Sequence, residues 1–256
     1  RISDFFAPVR PGTGAAAQVI DPHYRRWKSV NVKPHQVADR AIVVISLKPV
    51  GGTPGDATDQ QMEAVADIAE RYGLSEIRVT KEQNLVLPHI DAAALPTVFE
   101  ALKDAGLATA NAGLAGDIVS CPGLDYCNLA NARSIPIAQE ISRAIEASGL
   151  EEAAGEVSIK ISGCINACGH HHVANIGLLG VDKKGEEVYQ LTLGGVADGE
   201  AAIGEIAGRA LSADDAVKGV IASLRAYVTH REAGESFVAT LKRTGLEPFK
   251  ESIYDH

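Results

Sequence analysis

The alternation of apolar and polar positions in the first half of the chain predicts alternating strands and helices. Residues 41–47 are rich in β-branched side chains and end before a Gly-Gly pair, which is typical of a strand. Thr58 followed by Gln61 matches a helix-capping box, and apolar positions recur after it at helical spacing. The predicted order is strand, helix, strand, strand, helix, over residues 41–47, 58–72, 76–80, 84–88 and 92–105.

This order is that of a small α/β sandwich resembling half of a ferredoxin-like unit, and we place it at residues 38–108. The pattern changes beyond Gly106, where the remaining residues, 109–256, predict a second α/β domain. Its predicted strands and helices cover residues 117–120, 135–147, 156–162, 175–181, 187–193, 214–229 and 235–244. The fold class is therefore α+β, with two folded parts.

The first 36 residues predict no regular element. Prolines and glycines interrupt every periodic pattern there, and Trp27 is the only tryptophan in the chain. We therefore expect residues 1–37 to form an extended N-terminal arm that lies on another surface and is anchored by Trp27.

The composition indicates a soluble globular protein. Of the 256 residues, 46% are hydrophobic and 22% are charged, and no apolar run approaches the ~18–20 residues that a membrane-spanning helix needs. The net charge of −9 argues against a general nucleic-acid surface, which needs concentrated Lys and Arg. Without a secretory signal at its start, the chain has a cytoplasmic location as the default expectation.

The chain contains four cysteines in two close pairs, Cys121 with Cys127 and Cys164 with Cys168. Each pair follows a predicted strand and is bordered by Gly or Pro, so that the backbone can fold tightly around a bulky group. Four thiolates are the usual ligands of a cubane iron–sulfur cluster, and the spacing therefore predicts one.

Three other interpretations of the cysteines compete with a cluster: structural zinc, disulfides and unconnected buried cysteines. The last of these does not explain two pairs that are each bordered by Gly or Pro. Structural zinc also takes four thiolates, but two to four residues usually separate each pair, which fits the second pair and not the first. Disulfides are typical of secreted chains, and this sequence shows no secretory signal.

The residues around the cysteines resemble those of a known family. Residues 162–180 read SGCINACGHHHVANIGLLG and resemble the second cluster motif of the sulfite and nitrite reductase haemoproteins, while residues 121–130 (CPGLDYCNLA) are similar to the first. Residues 78–85 (RVTKEQNL) and 231–237 (REAGESF) resemble two further segments of that family. The resemblance covers about residue 38 to the end and corresponds to the C-terminal half of those enzymes.

The resemblance implies sirohaem coupled to a [4Fe–4S] cluster. Carried over by position, Cys121, Cys127, Cys164 and Cys168 are the cluster ligands, and Cys168 is the thiolate that also bridges to the sirohaem iron. A thiolate shared by both metals gives a direct path for multi-electron reduction of a small anion bound on the open face of the haem.

Five further residues are weaker candidates for cofactor binding. Arg78 suits a sirohaem carboxylate, although a solvated arginine is an equally ordinary reading, and Gln83 and Asn84 follow it in the same motif. Asn166 lies inside the second cysteine loop, where it either hydrogen-bonds a cluster sulfur or caps a turn. His170 begins a run of three histidines, of which at most two can share a site if the run is extended.

The implied activity is the six-electron reduction of sulfite to sulfide, with nitrite to ammonia as the alternative, and electrons come from a separate ferredoxin or flavoprotein. The family's enzymes contain two related halves, and the basic residues that hold the substrate lie mainly in the half that is missing here. Because the chain also begins with Arg, we expect either a piece of a longer protein or a small version that recruits a second copy. A non-catalytic iron–sulfur electron-transfer or scaffold protein is the remaining alternative.

Overall fold

A computed structural model describes residues 21–254, which form two compact units. The first unit runs to Pro49 and resumes over Gly55–Ala112, and the second contains Val50–Pro54 and the chain from Gly113 onward. The predicted boundaries after residues 37 and 108 stay a prediction. Residues 1–20 of the predicted arm lie outside the described part of the chain.

The first unit has a four-stranded antiparallel sheet in the order β1-β2-β4-β3 with three helices. Its elements are α1 (Pro22–Asn31), β1 (Val32–Pro34), β2 (Arg40–Ile45), α2 (Asp59–Tyr72), β3 (Arg78–Val79), β4 (Leu85–Asp91) and α3 (Leu95–Asp104). From β2 onward, the order is the predicted strand, helix, strand, strand, helix. The predicted capping box at the start of α2 is also present, because Thr58 and Gln61 exchange hydrogen bonds.

Helix α1 shows that the expectation of an irregular arm is wrong for residues 22–31. Pro22 occupies the first turn, where its missing N–H costs nothing, and the Asp21 side chain accepts a hydrogen bond from the His23 amide as an N-cap. Trp27 is fully buried and lies against the rings of Tyr24 and Phe99. Trp27 is thus an anchor, as expected, but of a helix packed within the first unit.

The second unit has a five-stranded sheet in the order β5-β6-β7-β8-β9. Its elements are β5 (Val119–Ser120), α4 (Ile135–Ser148), α5 (Leu150–Ala154), β6 (Ile159–Ser162), β7 (Ile176–Lys183), β8 (Glu186–Leu193), β9 (Glu205–Ile206), α6 (Ala213–His230), α7 (Phe237–Thr244) and α8 (Glu247–Tyr254). Strands β5, β6 and β7 are parallel neighbours, and β8 and β9 continue the sheet antiparallel.

The core of the second unit lies between its sheet and its helices. Ile159 and Ile161 of β6 are fully buried in it, and α6 packs against β8, α4 and α8. The predicted hairpin is β7–β8, whose turn at Lys184 and Gly185 uses left-handed backbone. Among residues 21–254, the helices are all too short or too polar to cross a bilayer.

Candidate iron–sulfur site

The two cysteine pairs begin at the ends of adjacent parallel strands. Ser120 at the end of β5 pairs with Ile161 of β6, and the Cys121 amide donates to the Ile161 carbonyl oxygen at 3.1 Å. Cys164 follows β6 after a single residue, Gly163. Because parallel strands end at the same edge of a sheet, both cysteine loops leave from one place.

The two loops contact each other through glycine. The Gly163 carbonyl oxygen accepts hydrogen bonds from the amides of Asn131 at 2.8 Å and Ala132 at 3.0 Å. A Cβ atom added at Gly163 would lie 2.5 Å from the Ala132 carbonyl oxygen and 3.0 Å from the Gly123 Cα. A glycine is therefore required at position 163 for the backbones of the two loops to pack this closely.

The first loop folds as a tight turn between its cysteines. Gly123 has a φ of +61°, and the Cys127 amide donates to its carbonyl oxygen at 2.8 Å. The Cys127 carbonyl oxygen in turn accepts from Ala130 at 3.1 Å. These bonds fix the position of the Cys127 backbone relative to that of Cys121.

The sulfur of Cys121 is buried and has two polar neighbours. Its Sγ accepts a hydrogen bond from the Gly163 amide at 3.1 Å and lies 3.4 Å from the Ser134 Oγ. Donors aimed at a sulfur atom stabilise its thiolate form, which is the form that binds metal.

The backbone of the second cysteine loop is strained. Ala167 and His170 both have left-handed φ values, 55° and 56°, which are unusual for residues other than glycine. At Gly169, a Cβ atom would lie 2.0 Å from the Ile161 carbonyl oxygen, and the Gly169 amide donates to the Ser162 Oγ at 3.1 Å. Such strain persists only where surrounding contacts hold it, and it is concentrated at functional sites.

All four thiols are free, and they differ in exposure. Cys121 and Cys164 are buried, Cys127 is half-buried and Cys168 is exposed. Within residues 21–254, no three or more His, Cys, Asp or Glu side chains are gathered so that they hold a single metal ion. The fit to an iron–sulfur cluster rests on the donor chemistry: four free thiols in two loops in direct backbone contact, with an amide donating to one of the sulfur atoms.

Large apolar side chains stand exposed beside these cysteines. Tyr126, Leu129 and Ile165 are exposed over 82%, 72% and 79% of their surface. Tyr126 and Ile165 are direct neighbours of Cys127 and Cys164 in the sequence. Large apolar side chains with this much exposure are ordinary one at a time, and they indicate a covered surface only where they adjoin one another.

Asn166 and His170 are exposed residues of the second cysteine loop. His170 precedes a short 3₁₀ turn at His171–Val173, so the run of three histidines is not a strand. Its side chains differ in exposure: His170 is exposed, His172 is half-buried and His171 is fully buried. Binding of a cofactor by Asn166 and His170 stays a prediction.

His171 is the middle residue of the run of three histidines, and the sequence pattern does not distinguish it from the other two. Neither ring nitrogen has a hydrogen-bond partner among the described residues. The pKa of His171 is lowered to about 4, mainly by burial and to a smaller extent by the neighbouring His172. The imidazole is therefore neutral at physiological pH, and burying its two nitrogens without a partner among residues 21–254 costs free energy.

The remaining candidates, Arg78, Gln83 and Asn84, lie in the first unit. Asn84 is buried, and its Oδ1 accepts hydrogen bonds from the Leu47 amide at 3.1 Å and the Lys48 Nζ at 2.7 Å. Gln83 has a left-handed φ of 58° in the turn before β4. The side chain of Asn84 thus supports the fold directly, and its predicted role toward a cofactor is untested.

Arg78 is exposed on the edge strand β3, with its Nε 2.6 Å from the Glu76 Oε1. This hydrogen bond is the main reason why the pKa of the Glu76 carboxyl is lowered. An ion pair with Glu76 is a contact that the sequence motif does not reveal.

Comparison with known families places this geometry in context. Residues 115–256 match the family described as nitrite and sulphite reductase 4Fe-4S domain, and residues 44–105 match the nitrite/sulfite reductase ferredoxin-like half domain. The chain therefore belongs to the nitrite and sulfite reductase family. The predicted family and the α+β fold class are both confirmed.

Relatives with both substrate names match the chain. A ferredoxin–nitrite reductase of Synechococcus elongatus is 32% identical over 84% of this chain and 42% of its own length. A sulfite reductase [ferredoxin] of Mycobacterium tuberculosis is 29% identical over 75% of this chain and 36% of its own length. The chain thus spans about two fifths of the length of these relatives.

A solved structure, that of the Mycobacterium tuberculosis NirA protein, has the same fold. It matches with a TM-score of 0.71 and 24% identity, over 86% of this chain and 41% of its own. The arrangement of strands and helices described above is therefore the fold of that protein over the matched part.

Proposed function

We propose that this chain is the cofactor-bearing part of a reductase that uses sirohaem and a [4Fe–4S] cluster. The observation that carries the proposal is the meeting of the two cysteine loops at Gly163, at the ends of β5 and β6, inside a domain of the 4Fe-4S family. The relatives of this family that match are named as reductases.

In this proposal, Cys121, Cys127, Cys164 and Cys168 hold the cluster. The buried Cys121 and Cys164 lie at the base of the loops, and the exposed Cys168 lies where its sulfur can reach a second group. The hydrogen bond from the Gly163 amide to Cys121 withdraws charge from a ligand sulfur, which raises a cluster's reduction potential. Cys168 is the proposed bridging thiolate.

When bound, the two cofactors supply an open metal position for a small anion and a store of electrons next to it. The exposed apolar side chains of Tyr126, Leu129 and Ile165 offer a surface that suits the face of a macrocycle or the remainder of an enzyme. In the first unit, Arg78 offers a guanidinium to a carboxylate of the sirohaem.

The proposed reaction is reduction of sulfite, in which six electrons and seven protons yield hydrosulfide and three waters. Reduction of nitrite to ammonia is the second candidate, and the observation that supports it is the 32% identity to a ferredoxin–nitrite reductase. Ferredoxin appears in the names of relatives of both kinds, and an external donor of that type is the proposed electron source.

Spectroscopy of the anaerobically purified chain tests the proposal. We expect iron, acid-labile sulfide and the absorption of sirohaem, with magnetic coupling between the two centres. Iron and sulfide without any sirohaem band would instead support the non-catalytic electron-transfer alternative. Stoichiometric zinc without iron would overturn the assignment of the cysteines.

Steady-state rates then separate the two substrates. With reduced ferredoxin or a chemical donor, a higher kcat/KM for sulfite than for nitrite supports the first candidate. The reverse order assigns the chain to nitrite.

A further inference from the structure

A chain of hydrogen bonds crosses the sheet of the first unit and involves two histidines. The Val37 amide donates to the His35 Nδ1 at 2.8 Å. On its other side, the His35 Nε2 lies 3.0 Å from the Nδ1 of His89, a residue of β4. The two rings meet edge to face, with their centroids 5.1 Å apart.

The chain continues from His89 to the edge of the sheet. The His89 Nε2 lies 3.3 Å from the Glu76 Oε2, and the other carboxylate oxygen, Oε1, accepts from the Arg78 Nε at 2.6 Å. The Arg40 guanidinium donates to the His89 carbonyl oxygen at 2.7 Å. Four side chains, His35, His89, Glu76 and Arg78, therefore form one continuous relay.

The backbone amide at one end fixes the protons of both imidazoles. An amide can only donate, so the His35 Nδ1 is unprotonated and its proton is on Nε2. That proton points at the His89 Nδ1, which must accept it, and the His89 proton is therefore on Nε2, facing Glu76. Both rings are neutral in this arrangement.

A further proton on either ring breaks a hydrogen bond of the relay. A proton on the His89 Nδ1 would face the proton of the His35 Nε2 across 3.0 Å. If His35 shifted its own proton to Nδ1, the bond from Val37 would be lost instead. Burial is the main reason why the pKa of His89 is lowered; Glu76 opposes this, while His35, Arg78 and Arg40 contribute to it.

The far end of the relay is an arginine with unused donors. The Arg78 side chain is 60% exposed, and within residues 21–254 it makes its hydrogen bond and ion pair through Nε, to Glu76. Its two Nη nitrogens are therefore oriented by the Glu76 contact and open to a ligand. A fixed guanidinium edge matches the two oxygens of a carboxylate.

We propose that His35, His89 and Glu76 are positioning residues that hold Arg78 ready for a carboxylate of the bound tetrapyrrole, and that acid loosens this hold. The proposal rests on the proposed function for the identity of the ligand. The relay itself rests only on the hydrogen bonds of the first unit.

The first test measures the relay without any cofactor. In ¹⁵N NMR of the chain, we expect slow solvent exchange of the Arg78 Nε–H at neutral pH, with Arg71 as internal reference because its ion pair to Asp67 uses an Nη nitrogen instead. The variant His35→Ala removes a residue that makes no hydrogen bond to Arg78. It should nevertheless raise the Arg78 exchange rate several-fold, as should Glu76→Gln.

The matched control is His23→Ala, a histidine on the exposed face of α1 and outside the relay. It should leave the exchange of Arg78 unchanged. Unaltered exchange of the Arg78 Nε–H in His35→Ala would overturn the relay.

The second test measures the ligand. Sirohaem is titrated into the cofactor-free chain at several pH values, and its dissociation constant is read from its absorption. We expect His35→Ala to bind about three- to tenfold more weakly at neutral pH, the scale of a loosened charge-assisted hydrogen bond. Binding by the unaltered chain should weaken in acid more steeply than binding by the variant.

Failure of the proposed function and failure of the positioning role give different results in these two tests. If the unaltered chain takes up no sirohaem, the proposed function fails, while the NMR measurement still decides the relay. If it takes up sirohaem and His35→Ala binds equally well at every pH, the positioning role is overturned and the proposed function stands.

Discussion

The four cysteines differ at the residue scale in how the protein holds their sulfur atoms. Cys121 is buried, and its Sγ accepts a hydrogen bond from the Gly163 amide, whereas Cys168 is exposed in a loop with strained backbone. A buried ligand that is bonded to the opposite loop organises the site, and an exposed one is available to a second group. The same substitution should therefore have different effects at the two positions.

We expect Cys168→Ser to retain iron and sulfide in large part while losing the coupling between cluster and sirohaem, because the proposed bridge is removed. Cys121→Ser should instead lose most of its cluster, because the buried ligand is removed. Iron and sulfide analysis with EPR of the reduced protein measures both effects. A fully coupled spectrum in Cys168→Ser would contradict the bridging assignment.

His171 leads to a prediction about acid stability. Its pKa is lowered to about 4 by burial, whereas an unfolded histidine has its pKa near 6.5. The unfolded chain therefore binds this proton first, so the contribution of the neutral ring to stability is present above pH 6.5 and is lost as the pH falls toward 4. The loss is at most roughly 3 kcal/mol.

Urea unfolding of the cofactor-free chain between pH 7 and pH 4 tests this. The variant His171→Leu should lose less stability over that range than the unaltered chain. The exposed His23→Leu should follow the unaltered chain. Parallel curves for all three proteins would show that His171 does not titrate in this way.

The residues of the site were unequally predictable from sequence. Thiol spacing predicts a cluster because few other groups require four cysteines in two pairs. His171 and the Glu76 partner of Arg78 carry no such signal, because burial and ion pairing depend on residues brought together only by the fold. Asn84 shows the same limit, since its contacts to Leu47 and Lys48 depend on the packing of two strands.

At the scale of elements, periodicity predicted the strands and helices whose apolar positions recur regularly. The elements that it missed include β1, α5, β9 and two helices, α1 and α8, that both contain a proline in the first turn, Pro22 and Pro248. A proline looks like a breaker when the sequence alone is read, but it suits the start of a helix because the N–H it lacks would be unpaired there. Burial of Trp27 then stabilises α1 through contacts that no local pattern contains.

The contact between the two cysteine loops is the element-scale feature with the sharpest test. We expect Gly163→Ala to destabilise the chain by about 1–3 kcal/mol or more, because its methyl group would meet the Ala132 carbonyl at 2.5 Å and backbone cannot easily retreat. The measurement is chemical unfolding of the cofactor-free chain, followed by its iron uptake.

Gly149→Ala is the matched control for this change. Gly149 has a left-handed φ of 65° at the end of α4 and no atom within 4 Å of an added Cβ. It should lose about 1 kcal/mol through backbone strain and keep its full iron uptake. If Gly163→Ala also kept full uptake, the loop contact would not be needed to build the site.

At the scale of the whole molecule, the fold class and the family were predictable from the sequence. Neither of them decides whether this chain alone supplies every residue that substrate turnover needs. The chain spans 42% of the length of a ferredoxin–nitrite reductase and 36% of that of a sulfite reductase. The four cysteines lie in residues 121–168, and those residues supply thiolates rather than a group of cations. Cofactor binding and substrate turnover are therefore expected to have different requirements.

Either the remainder of a longer protein or a second copy of this chain is expected to complete the anion pocket, and the case of the second copy has a direct test. If two copies complete the anion pocket, specific activity should rise with protein concentration over about the nanomolar to micromolar range, because dimers dissociate on dilution. The cofactor spectrum should meanwhile stay constant, since each chain carries its own four cysteines. Activity per chain is measured with sulfite and with nitrite in a dilution series, alongside sedimentation of the same samples. Constant specific activity from a monomer would show that one chain supplies the whole pocket, and the absence of activity at every concentration would contradict completion by a second copy.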